Sequence, residues 1–190
     1  MTVQQTLSSI AAGKLLSVPK KWILAVDDDA NDLFWMEEAI LEASKEQFSF
    51  HLSKAKNAAE ARLFLTALIQ ERQEGDEIIV FSDVNMPSES GLQLLEWLKD
   101  QPQFNGIPVV IVSSFDRRTE IIRAFELGAV ACMFKPPEPK AVKGLLNTIK
   151  GLSGAKSYLD GYVASADRSR PAFITSPRSL EPVTAQGMQD

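Results

Sequence analysis

The residues able to do chemistry are mostly carboxylates, and they are crowded. In ILAVDDDANDLF, Ile23 to Phe34, Asp27, Asp28 and Asp29 follow a short apolar run, and Asp32 comes three residues later. Carboxylates this dense repel one another unless a cation or a partner sits among them. Another apolar run ends in Asp83, a third in Ser113 and Ser114, and a fourth in Lys135 followed by Pro136. Two or three clustered carboxylates bind magnesium, a hard cation that keeps waters and takes few protein oxygens. A lysine beside them offers a point charge to a phosphate oxygen, and a serine a hydrogen bond. Phosphoryl transfer asks mainly for positioning and charge neutralisation, and aspartate itself forms acyl phosphates. The chemistry alone does not say which aspartate would react.

A competing assignment is a calcium loop. Asp27, Asp29, Asn31 and Glu38 stand where an EF-hand has its first, third, fifth and twelfth positions. The glycine needed at the sixth is Asp32, a poor residue for a positive φ. An EF-hand also needs a helix before its loop, whereas WILAV, Trp22 to Val26, reads as a buried strand.

The elements that must position these groups follow from periodicity. WILAV (22–26) precedes a helical pattern over 30–44, with Leu33, Phe34, Ile40 and Leu41 at helical spacing. FSFHLSK (48–54) alternates like a half-exposed strand, and 58–73 is helical again. EIIVFSD (77–83) and IPVVIVSS (107–114) are short buried strands separated by a helix over 91–100. A helix over 117–128 ends in glycine, AVACMFK (129–135) is a strand, and 139–150 is a last helix. Five strands alternating with five helices predict a parallel sheet with helices on both faces. In such open sheets the ligand site lies outside the carboxyl ends of the strands, where strand order reverses. Asp27 and Asp28, Asp83, Ser113 and Ser114, and Lys135 would therefore converge on one edge.

Bulk properties narrow the classes. The 190 residues suffice for one domain with tails, and 45% hydrophobic content suits a globular core. Net charge is −5, concentrated in residues 22–150, which hold 13 basic and 21 acidic groups; no nucleic-acid groove is advertised. The single cysteine, Cys132, excludes an internal disulfide and fits a reducing compartment. No apolar run has membrane-spanning length and no secretion signal is visible, so a cytoplasmic protein with no membrane contact is expected.

These pieces together resemble a response-regulator receiver domain. The acidic pair after the first strand, SDVNMPSESGLQLLEWLK, IPVVIVSS and FKPPE occur in order, with 30 residues from Asp83 to Ser113 and 22 from Ser113 to Lys135. The resemblance implies a flavodoxin-like five-stranded parallel sheet of order 2-1-3-4-5. It implies that Asp83 accepts a phosphoryl group from a histidine kinase. Magnesium would be held by Asp28, Asp83 and the main-chain carbonyl of Asn85, with Asp27 acting mostly through water. Ser113 would hydrogen-bond the phosphoryl group, and Lys135 would pair with Asp83 and then with the phosphoryl oxygens. A cis peptide bond before Pro136 would aim that lysine. Asn85 and Ser114 would line the mouth and tune hydrolysis. Asp29 and Asp32 are assigned to the first turn of the next helix, where carboxylates suit the helix dipole.

One position departs from the family pattern. An aromatic residue usually stands three positions before the lysine, and here it is Cys132, expected to pack in the core; Phe134 is expected on the opposite face from it. The receiver would span 21–150, with residues 1–20 a flexible or loosely docked extension and 151–190 a tail of low regularity carrying no effector domain. Small receivers that partner bacteriophytochrome-type kinases are the nearest pattern. Such a protein is no enzyme beyond its own phosphorylation and dephosphorylation, and its output is a contact with a downstream protein target. The face of the fourth helix, fifth strand and fifth helix, with Arg117, Arg118 and Arg123, would make that contact or a homodimer. The rival expectation is a constitutive protein-binding module on the same fold, never phosphorylated.

Overall fold

The computed structural model describes residues 20–44, 50–73, 75–104, 106–114, 118–152, 162–164 and 171–174. The expectations for residues 1–19 and for Arg117 lie outside the described residues. The central strands β1 (Lys21–Val26) and β3 (Glu77–Asp83) are buried from Ile23 to Val26 and from Ile78 to Asp83, because neither run has a polar face to turn to water. β2 (His51–Ala55) is an edge strand that buries only its last residue. β4 (Val109–Ser113) and β5 (Ala131–Phe134) are buried throughout.

These five strands are parallel and run in the order β2-β1-β3-β4-β5. The alternation of their side chains divides the core in two. Leu24, Val26, Val80 and Ile111 face a cluster completed by α2 (Ala58–Glu71), α3 (Gly91–Asp100) and α4 (Arg118–Glu126). Ile23, Ala25, Phe81 and Val112 face the other cluster, covered by α1 (Ala30–Ser44) and α5 (Pro139–Leu152). α1 buries Leu33, Met36, Ala39, Ile40 and Ala43, a stripe at helical spacing. Sharp starts come from side-chain caps: Asn57 accepts from the Glu60 N–H at 2.9 Å, and Ser90 and Gln93 form a reciprocal capping box on α3.

Two findings correct the sequence reading. Phe134 does not face away from Cys132: residues two apart on a strand share a face, and both lie in the first cluster. The tail also contributes to the sheet. β7 (Pro171–Ile174) pairs antiparallel with β5, and β6 (Tyr162–Ala164) pairs antiparallel with β7. The sheet therefore has seven strands, and β7 covers the β5 edge that would otherwise stand open. Strands of three and four residues show too little alternation to be read as such. Among the described residues no helix is long and apolar enough to cross a membrane.

Candidate functional site

Parallel register brings the acidic groups together. Val26 is paired with Ser82, so Asp27 emerges beside Asp83 at the carboxyl ends of the two central strands. The Asp27 N–H is tied to Ala55 O on the other side at 3.1 Å. On the far side, Asp83 is paired with Val112 and Ser113 with Phe134, and Lys135 N–H donates to Ser113 O at 3.0 Å. The Lys135–Pro136 peptide bond is cis.

Lys135 reaches across this edge to three carboxylates at once. Its Nζ lies 2.7 Å from Asp27 Oδ2, 2.7 Å from Asp32 Oδ2 and 2.9 Å from Asp83 Oδ1. Burial works against the ammonium, but the hydrogen bonds to Asp27, Asp32 and Asp83 outweigh it and hold the Lys135 pKa above the ordinary lysine value. Asp27, 1% exposed, has its carboxyl pushed up by that burial, and the bonds from Lys135 and the Asp29 N–H offset the effect only in part. Asp83 is also buried; its Oδ2 accepts from the Asn85 N–H at 2.7 Å. Asp28 is exposed at the mouth.

Asp32 was not assigned to the site from sequence, because a first-turn aspartate is expected to serve the helix alone. The structure gives that capping role to Asp29, whose Oδ1 accepts from the N–H groups of Asn31 at 2.7 Å and Asp32 at 3.4 Å. Those bonds draw the Asp29 carboxyl below its usual value. Freed of capping, Asp32 turns to Lys135. The EF-hand assignment fails on the same geometry: β1 precedes Asp27, and Glu38 is an exposed residue on α1.

The helix behind Asp83 is placed by the lack of a side chain. A Cβ on Gly91 would stand 1.8 Å from Asp83 O and 2.8 Å from Ser82 Oγ, so α3 can begin against the end of β3 only with glycine there. The Gly91 N–H closes the intervening loop onto Val84 O at 2.9 Å.

The remaining candidates border this arrangement. Ser113 is buried, and its hydroxyl donates to Ser114 O at a long 3.4 Å, while Ser114 and Asn85 are exposed at the rim. Cys132 sits in the core under the site, its thiol pushed far up by burial and therefore protonated.

One oxygen each from Asp27, Asp28 and Asp83 lies within 4.8 Å of the others. Hard oxygen donors, few in number and open to water through exposed Asp28, fit a magnesium-sized cation. Three carboxylates share one ammonium here with Asp28 close by, and that surplus negative charge is the site's dominant electrostatic feature.

A profile of the response regulator receiver domain matches residues 23–147. The chain belongs to this family. The receiver is 32% identical over 142 residues to the two-component response regulator ARR6 of Arabidopsis thaliana, covering 71% of this chain and 74% of that one. It is 32% identical over 125 residues to the two-component response regulator ORR1 of Oryza sativa subsp. japonica, covering 66% and 53%. It thus spans about half of that relative's length. Among solved structures, the bacteriophytochrome response regulator AtBRR superposes with a TM-score of 0.56 at 29% identity, over 74% of this chain and 97% of that one. The chemotaxis response regulator CheY4 of Vibrio cholerae, at 20% identity and a TM-score of 0.53 over 70% and 99%, shares the fold. A two-component phosphorelay role follows from membership, and the catalysis of such receivers is confined to their own phosphorylation and dephosphorylation.

Proposed function

We propose that the receiver takes a phosphoryl group from the phosphohistidine of a histidine kinase onto Asp83, with Mg2+ held by Asp27, Asp28, Asp83 and the main-chain carbonyl of Asn85. The observation that carries this reading is the triad of Asp27, Asp28 and Asp83 gathered around one edge with Lys135 between them. A carboxylate oxygen of Asp83 attacks phosphorus as the bond to the donor's imidazole nitrogen breaks, and the imidazole keeps that electron pair. Bound at the triad, the cation supplies neutralisation of the charge on the phosphoryl oxygens. Lys135 already touches Asp83 at 2.9 Å, so its ammonium exchanges part of its carboxylate contact for a phosphoryl oxygen. Ser113, held only by a long bond to Ser114 O, turns its hydroxyl toward the phosphoryl group. Asn85 and Ser114 at the rim govern the approach of hydrolytic water.

Movement of Ser113 is transmitted to the side built by α4, β5 and α5, where a downstream protein or a second copy reads it; β7 is the outer boundary of that side. Cys132 replaces the usual aromatic reporter there, and buried Phe134, paired with Ser113 across the sheet, is the aromatic ring nearest in register. Similarity to AtBRR supports a bacteriophytochrome-type kinase as donor, with the exchange taking place in the cytoplasm. The test is intact-protein mass after incubation with acetyl phosphate and Mg2+. The wild type gains one phosphoryl group, Asp83→Asn gains none, and chelating the cation blocks the gain. No gain by folded wild type would instead leave a constitutive protein-binding module.

A further inference from the structure

The loop between β3 and α3, residues 84–90, carries Asn85 and is fastened at its two ends. Asn85 N–H binds Asp83 Oδ2 at 2.7 Å, and Gly91 N–H binds Val84 O at 2.9 Å. Its tip is different. Ser88 has φ +72°, a left-handed conformation that a residue with a side chain keeps only when its surroundings impose it. The residue after it, Glu89, is gripped from outside the loop: its Oε1 accepts a hydrogen bond from Arg62 on α2, 27 residues away in the chain.

Arg62 is itself held in place. Its guanidinium lies 4.9 Å from the ring centroid of Trp97 on α3, and that ring packs on Phe104 with centroids 5.0 Å apart. The side chains of Arg62 and Glu89 are 33% and 26% exposed, so the pair is partly withdrawn from water. The Nε of Arg62 is buried without a hydrogen-bond partner among the described contacts. An exposed ion pair would not keep that arrangement, since a free side chain would turn Nε to water. The guanidinium is set by Trp97 on one side and Glu89 on another.

We propose that Arg62 is a positioning residue for the phosphorylation site: through Glu89 it fixes the strained tip of the 84–90 loop and so sets the Asn85 carbonyl that would hold the cation. This rests on the function proposed above, because it assumes that Asn85 is a ligand. The tip is closed on itself by the Glu89 N–H bond to Pro87 O at 2.8 Å, and the Arg62 pair ties that tight turn to α2, so releasing the Glu89 side chain lets the turn around Ser88 shift. Asn85, three residues back, moves with it. Groups that orient ligands from behind change metal affinity or activity by about tenfold or more when removed.

The test is Mg2+ affinity of unphosphorylated full-length protein, measured by calorimetry for wild type, Arg62→Ala, Glu89→Ala, the double variant and Arg62→Lys, each beside its thermal midpoint. Charge alone predicts that deleting the Arg62 cation tightens Mg2+ binding. The latch predicts the opposite sign: binding about tenfold weaker in Arg62→Ala and Glu89→Ala. The double variant would be no weaker than either single one. Lysine at 62 restores only part of the affinity, because it pairs with Glu89 but lacks the planar fork that stacks on Trp97. Unchanged or tighter binding in Arg62→Ala, with wild type binding normally, overturns the latch and leaves the proposed function standing. Failure of wild type to bind Mg2+ at all overturns both.

Discussion

The receiver buries aspartates at both ends of its sheet, and Asp76 at one end and Asp27 at the other are treated in opposite ways. At the amino-terminal end Asp76 is 7% exposed, and its two oxygens accept from the Lys20 N–H at 2.7 Å and the Gln73 N–H at 3.1 Å. Burial opposes that charge, but the two backbone donors outweigh it and draw the carboxyl below its usual value. At the carboxyl-terminal end Asp27 is more deeply buried, and that burial pushes its carboxyl up although Lys135, which it shares with Asp32 and Asp83, pulls the other way. Asp76 is a satisfied clamp between the start of β1 and the turn before β3. Asp27 belongs to a cluster with more negative charge than its one cation can balance. A buried charge left incompletely compensated marks a place where something else binds.

Three perturbations sharpen that contrast, in falling order of effect. The largest is Gly91→Ala. Its Cβ would meet Asp83 O at 1.8 Å, so the backbone at the acceptor must move. Destabilisation of about 3 kcal/mol is expected, at the upper end of overpacking, and denaturant unfolding together with the acetyl phosphate assay reads it as lost stability and lost phosphoryl gain. Next is Lys135→Met, which leaves Asp27 and Asp83 buried with no counter-ion. Unfolding in urea should show a loss of about 2 kcal/mol without Mg2+, largely recovered when Mg2+ is added, because the cation takes over the neutralisation. Recovery would be absent if the lysine mattered only for packing.

The smallest effect belongs to the quiet end. Asp76→Asn should lower stability by about 1 kcal/mol at neutral pH. The folded-state pKa of Asp76 lies below the unfolded value of about 3.9. Its stabilising contribution is therefore complete above that value and disappears as pH falls through the lower folded pKa. Denaturation curves of wild type and Asp76→Asn taken at falling pH should converge in that acidic window and stay parallel above it.

How legible all this was in the sequence depends on distance along the chain. Asp27, Asp28, Asp83 and Lys135 could be placed because strand ends define the site in a parallel sheet, and each strand was marked by a continuous apolar run. The parallel sheet followed from the alternation of strands with helices, whereas the strand order came only with the resemblance to receivers. Asp32 escaped because its part depends on Asp29 taking over the cap, a choice of side-chain geometry with no sequence signature. Gly91 reads as an ordinary helix-start residue until its approach to Asp83 O is seen. Arg62 and Glu89 lie on different elements, and nothing local to either predicts their contact. The face of Phe134 was legible and misassigned; simple alternation gives it.

The most direct test of the contrast is a calorimetric Mg2+ titration of wild type, Asp83→Asn and Asp76→Asn under one set of conditions. Binding at least about tenfold weaker in Asp83→Asn, with Asp76→Asn binding like wild type, is the predicted result. Equal binding by wild type and Asp83→Asn, or equal losses in both variants, would contradict the assignment of the surplus charge to a cation and phosphoryl site.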